Sequence, residues 1–398
     1  MLKTSKFEPG ADMGEGGISL CVPEIRGREW EYVKQCLDTN FVSSVGPFVD
    51  RFEQDMATYT GTKFGVATST GTAALHITLL VTGIQPNDEV LVSTLTFIAP
   101  VNAIRYVGAW PVFIDADPDY WEMDPQKVWD FVEKDCSWNN GELRNRHTGR
   151  RLRAIMPVHI LGHPVNMDPI LEVARKFNLI VIEDATESLG AKYKGNKTGQ
   201  LGDIACFSFN GNKIITTGGG GMIVTDNEVW ASKAKYLSTQ AKDDPLEYIH
   251  NEIGFNYRLT NIQAALGCAQ LEQLEDYIAA KRRIAETYTD VLKDIPGLSP
   301  MQQADWAFSI FWMYTILIDE TKFGLNSRSL IYKLAEKSIQ ARPFWQPVHL
   351  SKAHAGSYAV DCSVAEKLNR EALNLPCSVG LTSLEQQSVL NLIANNSI

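Results

Sequence analysis

The chain has 398 residues, 44% hydrophobic and 21% charged, enough for a large core and for more than one domain. A formal net charge of -10 excludes a surface adapted overall to a nucleic-acid backbone, while a local basic site for a nucleotide-bearing small substrate stays open. Seven cysteines without a CxxC pair argue against a disulfide framework or a structural zinc site, and no segment reaches the length of about 18 apolar residues that spans a membrane, so a cytoplasmic protein is expected.

Residues 1–17 read as a loose leader. ISLCVPEI is extended, and GREWEYVKQCLDT predicts a helix with Trp30, Val33 and Leu37 at helical spacing. A second helix follows with Phe48, Phe52 and Met56 on one face, and Gly61 marks its stop. From residue 64, short apolar runs alternate with helical patterns. FGVATST, EVLVSTLTF, WPVFIDAD, RAIMPVHILG, LIVIEDA, DIACFSFN and GGMIVTD predict seven strands. GTAALHITLLVTG, APVNAIRYVG and MDPILEVARKFN predict helices between them. That alternation predicts an α/β fold with a mostly parallel, seven-stranded sheet covered on both faces, its functional loops at the strands' carboxyl ends. The polar stretch 136–152, with four arginines, interrupts the pattern and reads as a solvated surface loop or as part of an interface or substrate rim. One long helix capped by Thr260 is predicted up to about residue 294, followed by a smaller α/β unit containing the strand IFWMYTILID. The expected division is a large domain over 18–260, a connecting helix over 261–295 and a small domain over 296–398.

Within FSFNGNKIITTGGGGMI, Lys213 stands between a short strand and four glycines. It can be a surface lysine beside a turn. A phosphate-binding P-loop has its glycines before the lysine, the reverse of this order, and a dinucleotide fingerprint needs a helix where the strand MIVTD follows. A third reading is a lysine whose amine condenses with the aldehyde of pyridoxal 5'-phosphate. That chemistry needs a carboxylate for the pyridine nitrogen, a cradle for the phosphate and a wall for the ring. LIVIEDATESLG supplies Glu183, Asp184 and Glu187, which otherwise serve as helix-capping acids. TSTGTAALH offers Gly71 and Thr72 at a helix start, where amides bind phosphate or a hydroxyl simply caps the helix. Ser208 and Asn210 precede Lys213 at another strand end. Phe97 follows a strand and either covers a flat ring or packs in the core. His159 and His163 in PVHILGHP either touch ligand or make structural hydrogen bonds, and no third ligand nearby supports a metal.

These stretches, together with VSSVGPFVDRFEQDMA, TLTFIAPVNAI and GFNYRLTNIQAALGCAQLEQL, occur in one order over nearly the whole chain. In that order they resemble the DegT/DnrJ/EryC1/StrS aminotransferases, sugar-modifying enzymes of the type I pyridoxal-phosphate fold. The resemblance implies that Lys213 is the Schiff-base residue and proton shuttle, and that Asp184 pairs with the pyridine nitrogen. Gly71, Thr72 and Ser208, with Asn210 beside them, would hold the phosphate, and Phe97 would cover the ring. Asn256 would reach the cofactor of a second subunit in a homodimer with shared active sites, with Arg258 nearby. Arg342, Trp345 and His349 fall in a loop similar to one near the family's substrate entrance, although Trp345 also reads as surface packing. Related dehydratases carry histidine in place of the lysine, so Lys213 implies transamination, with pyridoxamine 5'-phosphate as the intermediate carrier. Glu187 departs from the glutamine or histidine of many members. Two acids so close would repel unless a proton or a donor intervenes. A subgroup acting on UDP-linked 4-keto N-acetyl sugars resembles the chain in having this glutamate. The implied reaction moves an amino group from glutamate to the C4 ketone of a UDP-linked 4-keto-6-deoxy sugar. A C3-keto substrate, a GDP- or dTDP-linked sugar, or a non-catalytic cofactor-binding protein remain alternatives.

Overall fold

The computed structural model describes residues 16–397 except 140 and 245, so the expected leader lies almost wholly outside the described residues. All seven expected strands form one sheet, and three more join it. In chain order they are β1 (Phe64–Thr68), β2 (Glu89–Ser93), β3 (Trp110–Ile114), β4 (Cys136–Asn139), β5 (Glu142–Asn145), β6 (Arg151–Met156), β7 (Ile180–Asp184), β8 (Ile204–Ser208), β9 (Gly221–Thr225) and β10 (Tyr358–Ala359). Across the sheet the order is β1-β9-β8-β7-β6-β2-β3-β10, with β5 on β6 and β4 on β5. From β8 to β10 neighbouring strands are parallel, and β9 runs antiparallel to both β1 and β8. Strands buried along almost their whole length, such as β2 and β9, account for the near-continuous apolar runs of the sequence.

The polar stretch expected as a loop is instead the antiparallel hairpin β4–β5 leading into β6. Its inward positions carry Cys136, Leu143 and Leu152, all buried, while its arginines and glutamates face outward. Glu89, fully buried at the amino end of β2, fastens the hairpin: it accepts from Asn145 Nδ2 at 2.9 Å and Thr148 Oγ1 at 2.8 Å and lies 3.6 Å from Arg150. The hairpin therefore sits at the amino ends of β2 and β6. A five-residue strand of about 17 Å separates it from the carboxyl ends, so it does not form the substrate rim.

The single long helix expected from residue 260 is two helices, Asn261–Leu271 and Leu274–Leu292. Thr260 and Gln263 close a reciprocal capping box at the first. At the break, Glu272 accepts from Tyr32 and Arg51, both at 2.7 Å. The two segments bury their apolar faces against different partners. The first packs on the helices Glu29–Asp38 and Pro47–Thr60, the second against the strand Leu298–Pro300 and the helix Ser383–Ala394. A four-stranded antiparallel sheet follows in the order Leu298–Pro300, Tyr314–Ile318, Ala372–Leu375, Arg342–Pro343. The segment 18–22 is stitched to this later part of the chain. Ile18 N donates to Ser338 O at 2.9 Å, Gln340 N to Ile18 O at 2.8 Å and Cys377 N to Leu20 O at 2.8 Å.

Candidate active site

A cavity of about 320 Å³ opens at the carboxyl ends of β2, β7 and β8. Strand register assembles its floor. Asp184 lies opposite Cys206, and Ser208 lies opposite Gly221, which in turn faces Thr68. The turn after Thr68 starts the helix Gly71–Val81, whose cap Thr70 accepts from Ala73 N at 3.0 Å. The first amides of that helix have no partner within it and are suited to an anion. Side chains would block this corner: a Cβ on Gly71 would stand 2.8 Å from Ser208 Cβ, and one on Gly221 would stand 2.5 Å from Thr70 O.

Lys213 follows β8 in a turn closed by its N–H to Asn210 O at 3.0 Å. Its Nζ lies 3.5 Å from Glu187 Oε1 and 4.1 Å from the centre of the Trp312 ring. The threonines behind it fix the loop. Thr216 Oγ1 donates to Phe209 O at 3.2 Å and accepts from Gly218 N at 2.9 Å, while Thr217 Oγ1 donates to Gly219 O at 2.7 Å. Gly218 takes a φ of +76, a left-handed turn that glycine adopts without steric cost.

Alternation along β7 sends its two acids to opposite faces. Asp184 lines the cavity, buried, with Oδ1 accepting from Thr186 N at 3.1 Å. Glu183 points away and is saturated: Leu201 N and Gly202 N each donate to it at 2.7 Å, Gly199 N at 2.9 Å, and His159 Nε2 lies at 2.9 Å. His159 Nδ1 accepts from Val165 N at 3.0 Å, so its proton is on Nε2 and directed at Glu183. His159 is thus a structural group outside the cavity, contrary to the substrate role considered for it. His163 is buried between Glu122, at 3.0 Å, and Ala304 N, at 3.1 Å, and is structural as well.

Burial raises the carboxyls of Asp184 and Glu187 above the ordinary range. For Asp184 the opposing influences are bonds from Thr186 and then the charge of Lys213. For Glu187 they are the charge of Lys213 and the bond from Leu161 N, which donates to Oε2 at 3.0 Å. Leu161 adopts φ 57, a sparsely populated conformation for a branched residue, and in doing so aims that N–H at the acid. Lys213 and Leu161 therefore supply the donors that a second acid beside Asp184 requires.

Of the residues singled out in the sequence, Gly71, Thr72, Phe97, Asp184, Glu187, Ser208, Asn210, Lys213 and Trp345 line this one cavity. Phe97 stands on its wall with more than half its surface exposed. Arg342 and His349 do not line it: Arg342 lies on the edge strand of the smaller sheet, and His349 Nδ1 meets Thr94 Oγ1 at 2.7 Å. Asn256 is exposed, accepts from Arg258 at 3.0 Å and lies off the cavity, and Arg258 lines a separate depression with Lys242 and Tyr248. Trp312, Asn212, Thr70 and Thr186 also line it and were not anticipated as site residues. Thr70 was legible as the cap two residues before Thr72, whereas Trp312 comes from the far end of the chain and left no local signal.

The donor set fits pyridoxal 5'-phosphate. Helix-start amides with Ser208 suit a dianionic phosphate, buried Asp184 suits a protonated ring nitrogen, and Lys213 is within reach of the same space. Among the described residues no group of three His, Cys, Asp or Glu is arranged to hold a metal, and no helix is long and apolar enough to cross a membrane.

Comparison with known proteins adds a family and its relatives. A sequence model described as the DegT/DnrJ/EryC1/StrS aminotransferase family matches residues 23–394. The chain is 42% identical to GDP-perosamine synthase of Caulobacter vibrioides over 94% of its own length and 96% of that protein. It is 40% identical to GDP-perosamine synthase of Escherichia coli O157:H7, over 92% and 94%. Among solved structures, a DegT DnrJ EryC1 StrS aminotransferase from Brucella abortus superposes with a TM-score of 0.84 at 27% identity, covering 92% of this chain and 95% of that one.

Proposed function

The chain belongs to the DegT/DnrJ/EryC1/StrS family of pyridoxal-phosphate-dependent sugar aminotransferases, and from that premise we propose that it aminates the C4 ketone of a GDP-linked 4-keto-6-deoxy sugar, with glutamate as donor. The observation that carries the reading is the convergence of Lys213, Glu187 and Asp184 on one cavity beside a helix start. When bound, pyridoxal phosphate supplies the aldehyde that carries the amino group and the ring that accepts electrons. Asp184 holds a proton on the ring nitrogen and thereby keeps that ring an electron sink. Gly71, Thr72 and Ser208 anchor the phosphate, and Phe97 covers a face of the ring. Lys213 would be the residue that holds the aldehyde carbon and that takes and returns a proton at the substrate carbon. Glu187 and the Trp312 ring flank its Nζ at the cavity wall.

The nucleotide assignment rests on the names of the relatives at 42% and 40% identity. A second reading, a UDP-linked 4-keto N-acetyl sugar, is favoured by Glu187, which resembles the residue of that subgroup. Turnover with GDP-, UDP- and dTDP-linked keto sugars, with the product amine located by NMR, decides between them. Amine at C4 of the GDP sugar is expected; preference for the UDP sugar, or amine at C3, overturns the assignment. For the chemistry itself, borohydride reduction of the holoenzyme is expected to label the Lys213 peptide. Lys213→Ala is expected to lose the label and at least about 10³-fold in turnover. A label on another lysine removes Lys213 from its role.

A further inference from the structure

Behind the Trp312 wall lies a cluster that the transamination chemistry does not use. Lys281 is only 2% exposed, yet among the described residues its charge partners are two cysteines and no carboxylate. Its Nζ donates to Trp312 O at 2.8 Å and meets Cys21 Sγ at 3.4 Å and Cys377 Sγ at 3.6 Å. A buried ammonium is costly without a counter-anion, and within these contacts a thiolate is the group that can provide one. The two cysteines are held together by backbone pairing, Cys377 N to Leu20 O at 2.8 Å, with Val22 N to Ser378 Oγ at 3.0 Å alongside.

We propose that Cys21, Cys377 and Lys281 form an oxidisable dithiol site, which a small hydroperoxide closes into a Cys21–Cys377 disulfide. Of the seven cysteines, Cys21 alone keeps partial exposure. Its thiol is pulled down, first by hydrogen bonding from Cys377 and then, against burial, by the charge of Lys281. Burial pushes up the thiols of the other five, Cys36, Cys136, Cys206, Cys268 and Cys362, which makes them internal controls. In the reaction the Cys21 thiolate attacks one peroxide oxygen, the O–O bond breaks, and the departing oxygen takes a proton and leaves as water. The Cys377 sulfur then displaces hydroxide from the resulting sulfenic acid, forming the S–S bond and a second water. The sulfur pair gives up two electrons and hydrogen peroxide is reduced to two waters.

The site touches the loop that carries Lys213. As a thiol, Cys21 donates to Asn212 O at 3.5 Å, and Trp312 Nε1 donates to the same oxygen at 2.7 Å. Disulfide formation removes the thiolate that balances Lys281 under Trp312, and with it any proton Cys21 could return to Asn212 O. Oxidation is therefore felt at the Trp312 ring and at the residue preceding Lys213.

The test treats the holoenzyme with hydrogen peroxide, blocks remaining thiols with iodoacetamide under denaturing conditions, and maps peptides without reduction. The expected result is a Cys21–Cys377 linked peptide with the other five cysteines still alkylated, and a loss of turnover that dithiothreitol reverses. Cys21→Ser is expected to keep its turnover through the treatment, and Cys377→Ser to stop at a dimedone-trapped sulfenic acid on Cys21. Absence of the linked peptide, or oxidation spread evenly over all seven cysteines, overturns the site. A disulfide that forms with turnover unchanged overturns its coupling to the Lys213 loop.

Discussion

Asp184 and Glu187 store a conflict between stability and function. Both are buried, and both carboxyls are raised above the ordinary range. A group whose folded value lies above its unfolded value adds stability that is full below the unfolded value and lost as pH rises through the folded one. Without cofactor the protein is therefore expected to lose thermal stability as pH climbs from about 4 upward. Glu187→Gln should show a flatter pH–melting profile and a more stable apoprotein near neutrality; parallel profiles would contradict the burial argument. Asp184→Asn should keep the fold and lose about 10²-fold or more in the first half-reaction, read by single-turnover absorbance. Much at this scale was legible in the sequence, because Lys213, Asp184, Ser208 and Gly71 each sit in a strand-end or helix-start motif. His159 was not: a histidine after a strand reads the same whether it meets ligand or, as here, a buried glutamate on the far face.

Among the elements, the β4–β5 hairpin shows why the polar stretch misled. Alternation was present, but Cys136, Leu143 and Leu152 are too sparse among arginines and asparagines to stand out as a buried face. Its tether is a single buried acid with three partners. Glu89→Ala removes that acid and leaves Asn145, Thr148 and Arg150 without it, and should lower stability by about 3 kcal/mol in urea unfolding. Turnover of the folded variant should be unchanged, since Glu89 lies at the opposite end of β2 from the cavity. A fall in turnover at full folding would bring the hairpin back to the site. The helix break at Glu272 was hidden for a different reason: the apolar spacing continues through it, and its two halves turn to different partners only in three dimensions.

For the whole molecule, the fold was legible because seven strands and their helices came in regular succession, whereas the joining of distant segments was not. Trp312 enters the cavity wall from beyond the connecting helices, and no local pattern announces such a contact. Asn256 points the other way: it lies off its own chain's cavity, near a segment that exposes Leu246, Tyr248, Ile249 and Ile253. The homodimer implied by the family resemblance would seat a second copy on that surface and lend Asn256 to its neighbour. Ile253→Asp should shift sedimentation from dimer to monomer. Mixing inactive Lys213→Ala with Asn256→Ala subunits should restore activity by re-forming intact sites in mixed pairs. Mixtures no better than the average of their parents would confine Asn256 to its own subunit.

The stitching of 18–22 to residues 338–340 and 377 has a temporal consequence. During synthesis the large sheet can collapse as its strands emerge, but the backbone of the extended segment at 18–22 finds its hydrogen-bonding partners at 338, 340, 377 and 378 only after more than three hundred further residues have left the ribosome. Cys21 therefore completes its surroundings late, and a nascent chain stalled before position 345 still lacks Trp345 from the cavity wall.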